Sequence, residues 1–118
     1  VWLLAGSAFG LLGSVKLHHP EFLTDHAPLS FGVVRMLHLT VVAYGWMSMA
    51  GVAVLVWLSC RLARAELPTP WPLSAAAGVW NVGVLAALFG IAHGNGTSVE
   101  WLDFPPYAPP FFIAALGI

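Results

Sequence analysis

Four long stretches without a formal charge constrain this chain more than any other feature. Residues 1–15, 36–60, 67–99 and 104–118 contain no Asp, Glu, Lys or Arg. A soluble domain spends about 25% of its residues on charge; here the share is 8%, against 59% hydrophobic. Such segments belong in hydrocarbon, where no water satisfies a backbone amide and an α-helix closes its own hydrogen bonds. The expected fold class is therefore all-α: a polytopic transmembrane helix bundle forming one domain over residues 1–118. A span takes about 20 apolar residues for a hydrocarbon core of about 30 Å. That length places spans at 1–17 (slightly short), 31–60 and 73–93, with the beginning of a fourth at 109–118.

The connections are polar and rich in turn-forming residues. "HHPEFLTDHAPLS" (18–30) holds two prolines, "RLARAELPTPWP" (61–72) is stopped by three, and "GNGTSVEWLDFPPYAP" (94–109) carries Trp101 and Tyr107, which suit a lipid–water interface. Arg61 and Arg64 lie in the second connection, while the third has Glu100 and Asp103 and no basic residue. The excess of basic residues on cytoplasmic loops puts 61–72 inside and 94–109 outside. The first connection must then also lie outside, although Lys16 and Arg35 flank it. The sequence begins at Val1, within an apolar run, and reads as an internal piece of a larger membrane protein.

With a net charge of −1 and nine charged residues there is no patch for nucleic acid. The lone Cys60 forms neither an internal disulfide nor a metal cluster. No phosphate loop, dinucleotide fingerprint or nucleophile elbow occurs. The titratable residues inside or beside the apolar runs are what remain, and such groups are costly enough in a bilayer to mark a working site. His38 lies within "VVRMLHLTVVAYGW", with Gly45 seven residues on along the same helix face. That pair leaves a flat surface beside an imidazole, which a haem ring needs; the same small residues also serve plain helix packing, with His38 bonded to a neighbour. Arg35, one turn earlier, either snorkels to the interface or pairs with a carboxylate such as a haem propionate. Glu100 and Asp103 fall at about the depth of Arg35, as solvated acids, as hard oxygen ligands for Ca²⁺ or as a proton relay. His18, His19 and His26 lack the spacing of a zinc site and read as surface residues. His93 lies at the end of the third span, shallower than His38.

The segment "GLLGSVKLHHPEFLTDHAPLSFGVVRMLHLTVVAYGW" resembles the first two helices of the catalytic subunit (subunit I) of C-family, cbb-type haem–copper oxidases. Ser30, Phe31, Gly32, Arg35 and His38 match the motif that opens that family's second helix. Gly96, Glu100, Trp101, Asp103, Phe104 and Pro105 match its acidic stretch before the fourth helix, and the interval from His38 to Glu100 (100 − 38 = 62 residues) suits the family. Val33 stands where the family has an arginine and Met36 where it has a proline.

The resemblance implies that His38 is an axial ligand of a low-spin haem b, that Arg35 pairs with its propionates and that Gly45 packs beside the ring. It implies a calcium-holding role for Glu100 and a proton-linked or structural role for Asp103. The implied activity is that of a terminal oxidase reducing O₂ to water, coupled to proton translocation, in a bacterial inner membrane. Cytochrome c or membrane-anchored c-type cytochrome subunits would donate electrons, and other oxidase subunits would be partners. The full subunit would also hold a high-spin haem and copper, whose ligands lie on helices outside this sequence, so the piece alone would not be catalytic. A nitric oxide reductase catalytic subunit shares these motifs, and a non-redox transport or assembly protein with an incidental His38 is the alternative of another class.

Overall fold

A computed structural model describes all 118 residues. It is all-helical: α1 is Trp2–His18, α2 is the continuous rod Phe31–Ala63, α3 is Trp71–Ala92 and α4 is Pro109–Leu116. A single 3₁₀ turn, Ala27–Leu29, precedes α2. Two helices, α2 and α3, are long and apolar enough to cross a membrane. At 1.5 Å per residue the 33 residues of α2 extend about 50 Å, which sets the 55 Å long axis of the molecule.

Pro72 near the start of α3 and the pair Pro109–Pro110 at the start of α4 occupy first-turn positions, where a missing N–H costs nothing. The rod α2 is not uniform. Val41–Met47 is wound as π-helix, and the Ser48 hydroxyl donates to the Ala43 carbonyl at 2.7 Å, five residues back, a second bond to an oxygen that already accepts the Ser48 N–H. Such insertions in an α-helix occur often beside functional residues.

The helices meet where side chains are small, because in lipid close van der Waals approach takes over from hydrophobic burial as the driving force. Helix α1 runs antiparallel to the first half of α2: Gly6 faces Val41 and Val42, Gly10 faces His38, and Gly45 faces Trp2. Gly83 of α3 receives Phe111 and Phe112 of α4, and Gly90 receives Pro105 and Tyr107. The buried core gathers Leu37 from α2, Val84, Ala87 and Ile91 from α3, and Phe104, Ala108 and Phe112 around α4. Tyr44 joins it, edge-on to Phe104 at 4.9 Å and stacked on Phe112 at 5.1 Å. The second half of α2, Ser48–Ala63, has no buried residue and stands clear of the other helices.

Adding a methyl group at Gly90 would drive it into the Pro105 ring, which has little freedom to yield. The Gly90→Ala variant is expected to lose about 1–3 kcal/mol of stability, as overpacked sites do. Gly78, with nothing within 4 Å of its missing side chain, should tolerate alanine without loss. Thermal unfolding of the two detergent-solubilised variants checks this contrast.

Candidate functional site

Near the turn end of the bundle the residues singled out in the sequence form two adjoining groups. The first is centred on His38, half-buried one turn before the π segment. Its Nδ1 lies 2.9 Å from the backbone oxygen of Gly6. A carbonyl oxygen only accepts, so Nδ1 carries the proton. In the neutral ring Nε2 then carries the lone pair, and it has no hydrogen-bond partner and is not an enclosed orphan. The contact depends on α1 lacking side chains here. A Cβ on Gly10 would sit 2.8 Å from the His38 Cε1 and 3.1 Å from Nδ1. Gly6 and Gly10 make a G-x-x-x-G pair within an apolar helix, the signal by which this seat is recognisable in the sequence.

Gly45 also faces α1, but the space above it is filled. The Trp2 indole lies where a Gly45 Cβ would approach it at 2.9 Å, and its Nε1 donates to the Asn81 side chain of α3 at 2.5 Å. The open surface expected from a glycine seven residues after His38 is therefore a packing seat. A gap in one helix does not show which neighbour enters it.

The second group joins Arg35 to both acids of the third connection. Nη2 of Arg35 is 3.9 Å from Oδ1 of Asp103, and Nη1 is 4.0 Å from Oε1 of Glu100. Glu100 is exposed, whereas Asp103 is 1% exposed and neither of its carboxylate oxygens has a hydrogen-bond partner. Burial pushes the Asp103 carboxyl above its ordinary range. The Arg35 guanidinium opposes this and the Glu100 charge adds to it.

The loop carrying these acids is held by residues that sequence reasoning missed. Tyr44 donates to the Trp101 carbonyl at 2.7 Å and Trp80 donates to the Tyr44 carbonyl at 2.7 Å, so α2 and α3 together fix the turn. Trp101 itself adopts a left-handed φ of 69°, which lets the chain reverse between the two acids. No periodicity signals Tyr44 or Trp80; only the tertiary contact does.

The other expected residues lie apart. His93 is exposed, with Nδ1 bonded to the Phe89 carbonyl at 2.8 Å; His18 and His19 are also exposed, and His19 lies 3.7 Å from Glu21. Lys16 is buried and donates to the Phe22 carbonyl. No group of three or more His, Cys, Asp or Glu side chains converges. Calcium takes six to eight oxygens; Glu100 and Asp103 offer two carboxylates with a guanidinium already against them, and this donor set does not fit that ion.

Fold and site together define a membrane protein with an imidazole nitrogen and an arginine–carboxylate cluster at one end of a helix bundle. The chain belongs to the cytochrome c and quinol oxidase polypeptide I family, whose model matches residues 1–118. This is subunit I of the haem–copper oxidases, a family of membrane oxidoreductases that bind haem. No curated protein and no solved structure matches the chain. The match favours neither the nitric oxide reductase nor the non-redox alternative.

Asp103 also sets a pH dependence. Its folded pKa is raised, so in the window above the ordinary carboxylate range the unfolded chain has released this proton while the folded chain retains it. Native stability therefore falls as pH rises through that window. Thermal unfolding compared between pH 4 and 7 should show this fall in the wild type relative to Asp103→Asn, and parallel curves would contradict it.

Proposed function

We propose that the chain forms the first helices of a C-family, cbb-type oxidase subunit I, with His38 as one axial ligand of a low-spin haem b. The observation that carries this is the Nδ1–H bond from His38 to the Gly6 carbonyl at 2.9 Å. A ligating histidine typically gives its second N–H to a carbonyl or carboxylate, which fixes the tautomer, orients the ring and raises ligand basicity. Here that partner is the backbone of α1, and Nε2 is left for iron. When bound, such a haem relays single electrons from cytochrome c, or a membrane-anchored c-type cytochrome, towards a site of O₂ reduction elsewhere in the subunit.

The roles of the remaining residues follow from what they touch. Arg35, one turn from His38, offers a planar guanidinium suited to a propionate. Asp103 and Glu100 hold it from the loop side, so the arginine is oriented before any propionate reaches it. Asp103 thereby acts as a positioning residue, and its raised pKa suits it to take up a proton when Arg35 turns to another anion. Gly45 acts through the packing of Trp2. Val33, in place of an arginine, leaves Arg35 as the one guanidinium of this motif.

The same contacts support placing 18–30 and 94–109 outside a bacterial inner membrane and 61–72 in the cytoplasm. Lys16 and Arg35, which conflict with that orientation by count, are both committed within the protein, to the Phe22 carbonyl and to two acids. Proton translocation and association with other oxidase subunits belong to the same reading.

A reduced-minus-oxidised spectrum of the full-length subunit tests the ligand. His38→Ala is expected to abolish the low-spin haem signal, and Gly10→Ala, which displaces the ring, to weaken it. A low-spin band unchanged in His38→Ala would end the assignment.

A further inference from the structure

At the end of α2 remote from His38, the chain leaves the helix through a residue poorly suited to the turn. Arg64 adopts the left-handed conformation, φ 51° and ψ 37°, and the bonds Arg64 N–H to the Arg61 carbonyl (3.4 Å) and Ala65 N–H to the Cys60 carbonyl (3.1 Å) close the helix. Glycine is the usual residue here because it adopts positive φ without a Cβ penalty. An arginine in its place accepts strain, and backbone groups already cap the last turn, so its side chain is not needed for capping.

Arg61 and Arg64 also differ from the chain's other two cations. Lys16 and Arg35 have partners within the protein, whereas neither Arg61 nor Arg64 makes a salt bridge or a side-chain hydrogen bond, although Glu66 lies nearby. The two arginines line a cleft of about 680 Å³ whose remaining wall is Trp57, Cys60, Ala65, Glu66 and Leu67, so the two guanidiniums outnumber the one carboxylate there. Leu58 and Leu62 are exposed on the same half of α2, which has no buried residue among the helices of this chain. Two free guanidiniums above an apolar strip, at the end of a membrane-length helix, match an amphiphile with an anionic head and hydrocarbon tails.

We infer that the Arg61–Arg64 cleft binds the phosphate of an anionic phospholipid, with Trp57 and Leu67 against its glycerol and upper acyl region. Arginine suits this role because its fork meets two phosphate oxygens at once, and juxtamembrane basic residues are drawn to anionic leaflets. The site is independent of the haem reading.

Native mass spectrometry of the full-length subunit in mild detergent tests it, with phosphatidylglycerol and phosphatidylcholine of identical tails as probes. Wild type should retain one phosphatidylglycerol with about tenfold preference, because both lipids offer the phosphate and the choline cation of phosphatidylcholine is repelled by the two guanidiniums. Arg61→Gln/Arg64→Gly should lose the preference. Arg64→Gly alone, compatible with the turn, should weaken it without lowering the thermal midpoint, and gives the readout should the double variant fail to insert. Equal retention of the two lipids by wild type, or an unchanged preference in Arg64→Gly, overturns the site. Displacement of the lipid by millimolar inorganic phosphate would assign the cleft to a free anion and overturn the lipid.

Discussion

Close contact between the backbones of α1 and α2 is the constraint on which the rest of this structure turns. Helices in lipid gain little from burying one apolar side chain against another, since the acyl chains are as apolar as leucine. What holds them is tight approach and the few polar bonds such approach permits. Gly6 and Gly10 allow the His38 ring to lie against α1 and reach a carbonyl at 2.9 Å. A helix carbonyl near the ring is ordinarily screened by side chains; the glycines remove that screen. One contact thus determines the packing of two helices, the tautomer of an imidazole and the direction of its free nitrogen.

A second set of contacts joins the opposite side of α2 to the loop before α4. Trp80 bonds to the Tyr44 carbonyl, Tyr44 to the Trp101 carbonyl, and Trp101 turns the chain so that Asp103 points inward at Arg35. Polar bonds in an apolar setting rigidify what they join. The cost is concentrated in Asp103, a buried carboxylate with no donor on either oxygen. A group in that position holds its proton or holds a cation, and Arg35 at 3.9 Å is the cation supplied. Because the guanidinium lies at the long limit of an ion pair with both acids, it is oriented by them without being locked, a suitable state for a residue that has another anion to meet.

The two ends of α2 use arginine differently. At the His38 end Arg35 is half-enclosed and shared between carboxylates of the same chain. At the other end Arg61 and Arg64 are free, and the strain at Arg64 is borne without an intramolecular return. Local strain of this kind persists where the side chain has a role that the backbone preference alone would not select. From Arg35 to Arg61 the rod rises about 39 Å (61 − 35 = 26 residues at 1.5 Å each), longer than a hydrocarbon core of about 30 Å, so both arginine groups reach the depth at which lipid gives way to water.

Helix class and approximate helix positions are written in the sequence, because lipid permits so few backbone solutions that charge-free runs and proline stops suffice to find them. His38, Arg35, Glu100 and Asp103 were legible for a related reason: a titratable group in or beside hydrocarbon is expensive and stands out. Their grouping was not. That Arg35 meets Glu100 and Asp103, 65 and 68 positions along the chain (100 − 35 and 103 − 35), depends on how α3 returns beside α2 and on the Tyr44 and Trp80 bonds. The G-x-x-x-G spacing marks Gly6 and Gly10 as a seat, but what fills a glycine's space was hidden: Gly10 admits His38 while Gly45 admits Trp2. A sequence records where side chains are absent, but occupancy of the resulting gap is a property of two elements at once, and only their packing decides it.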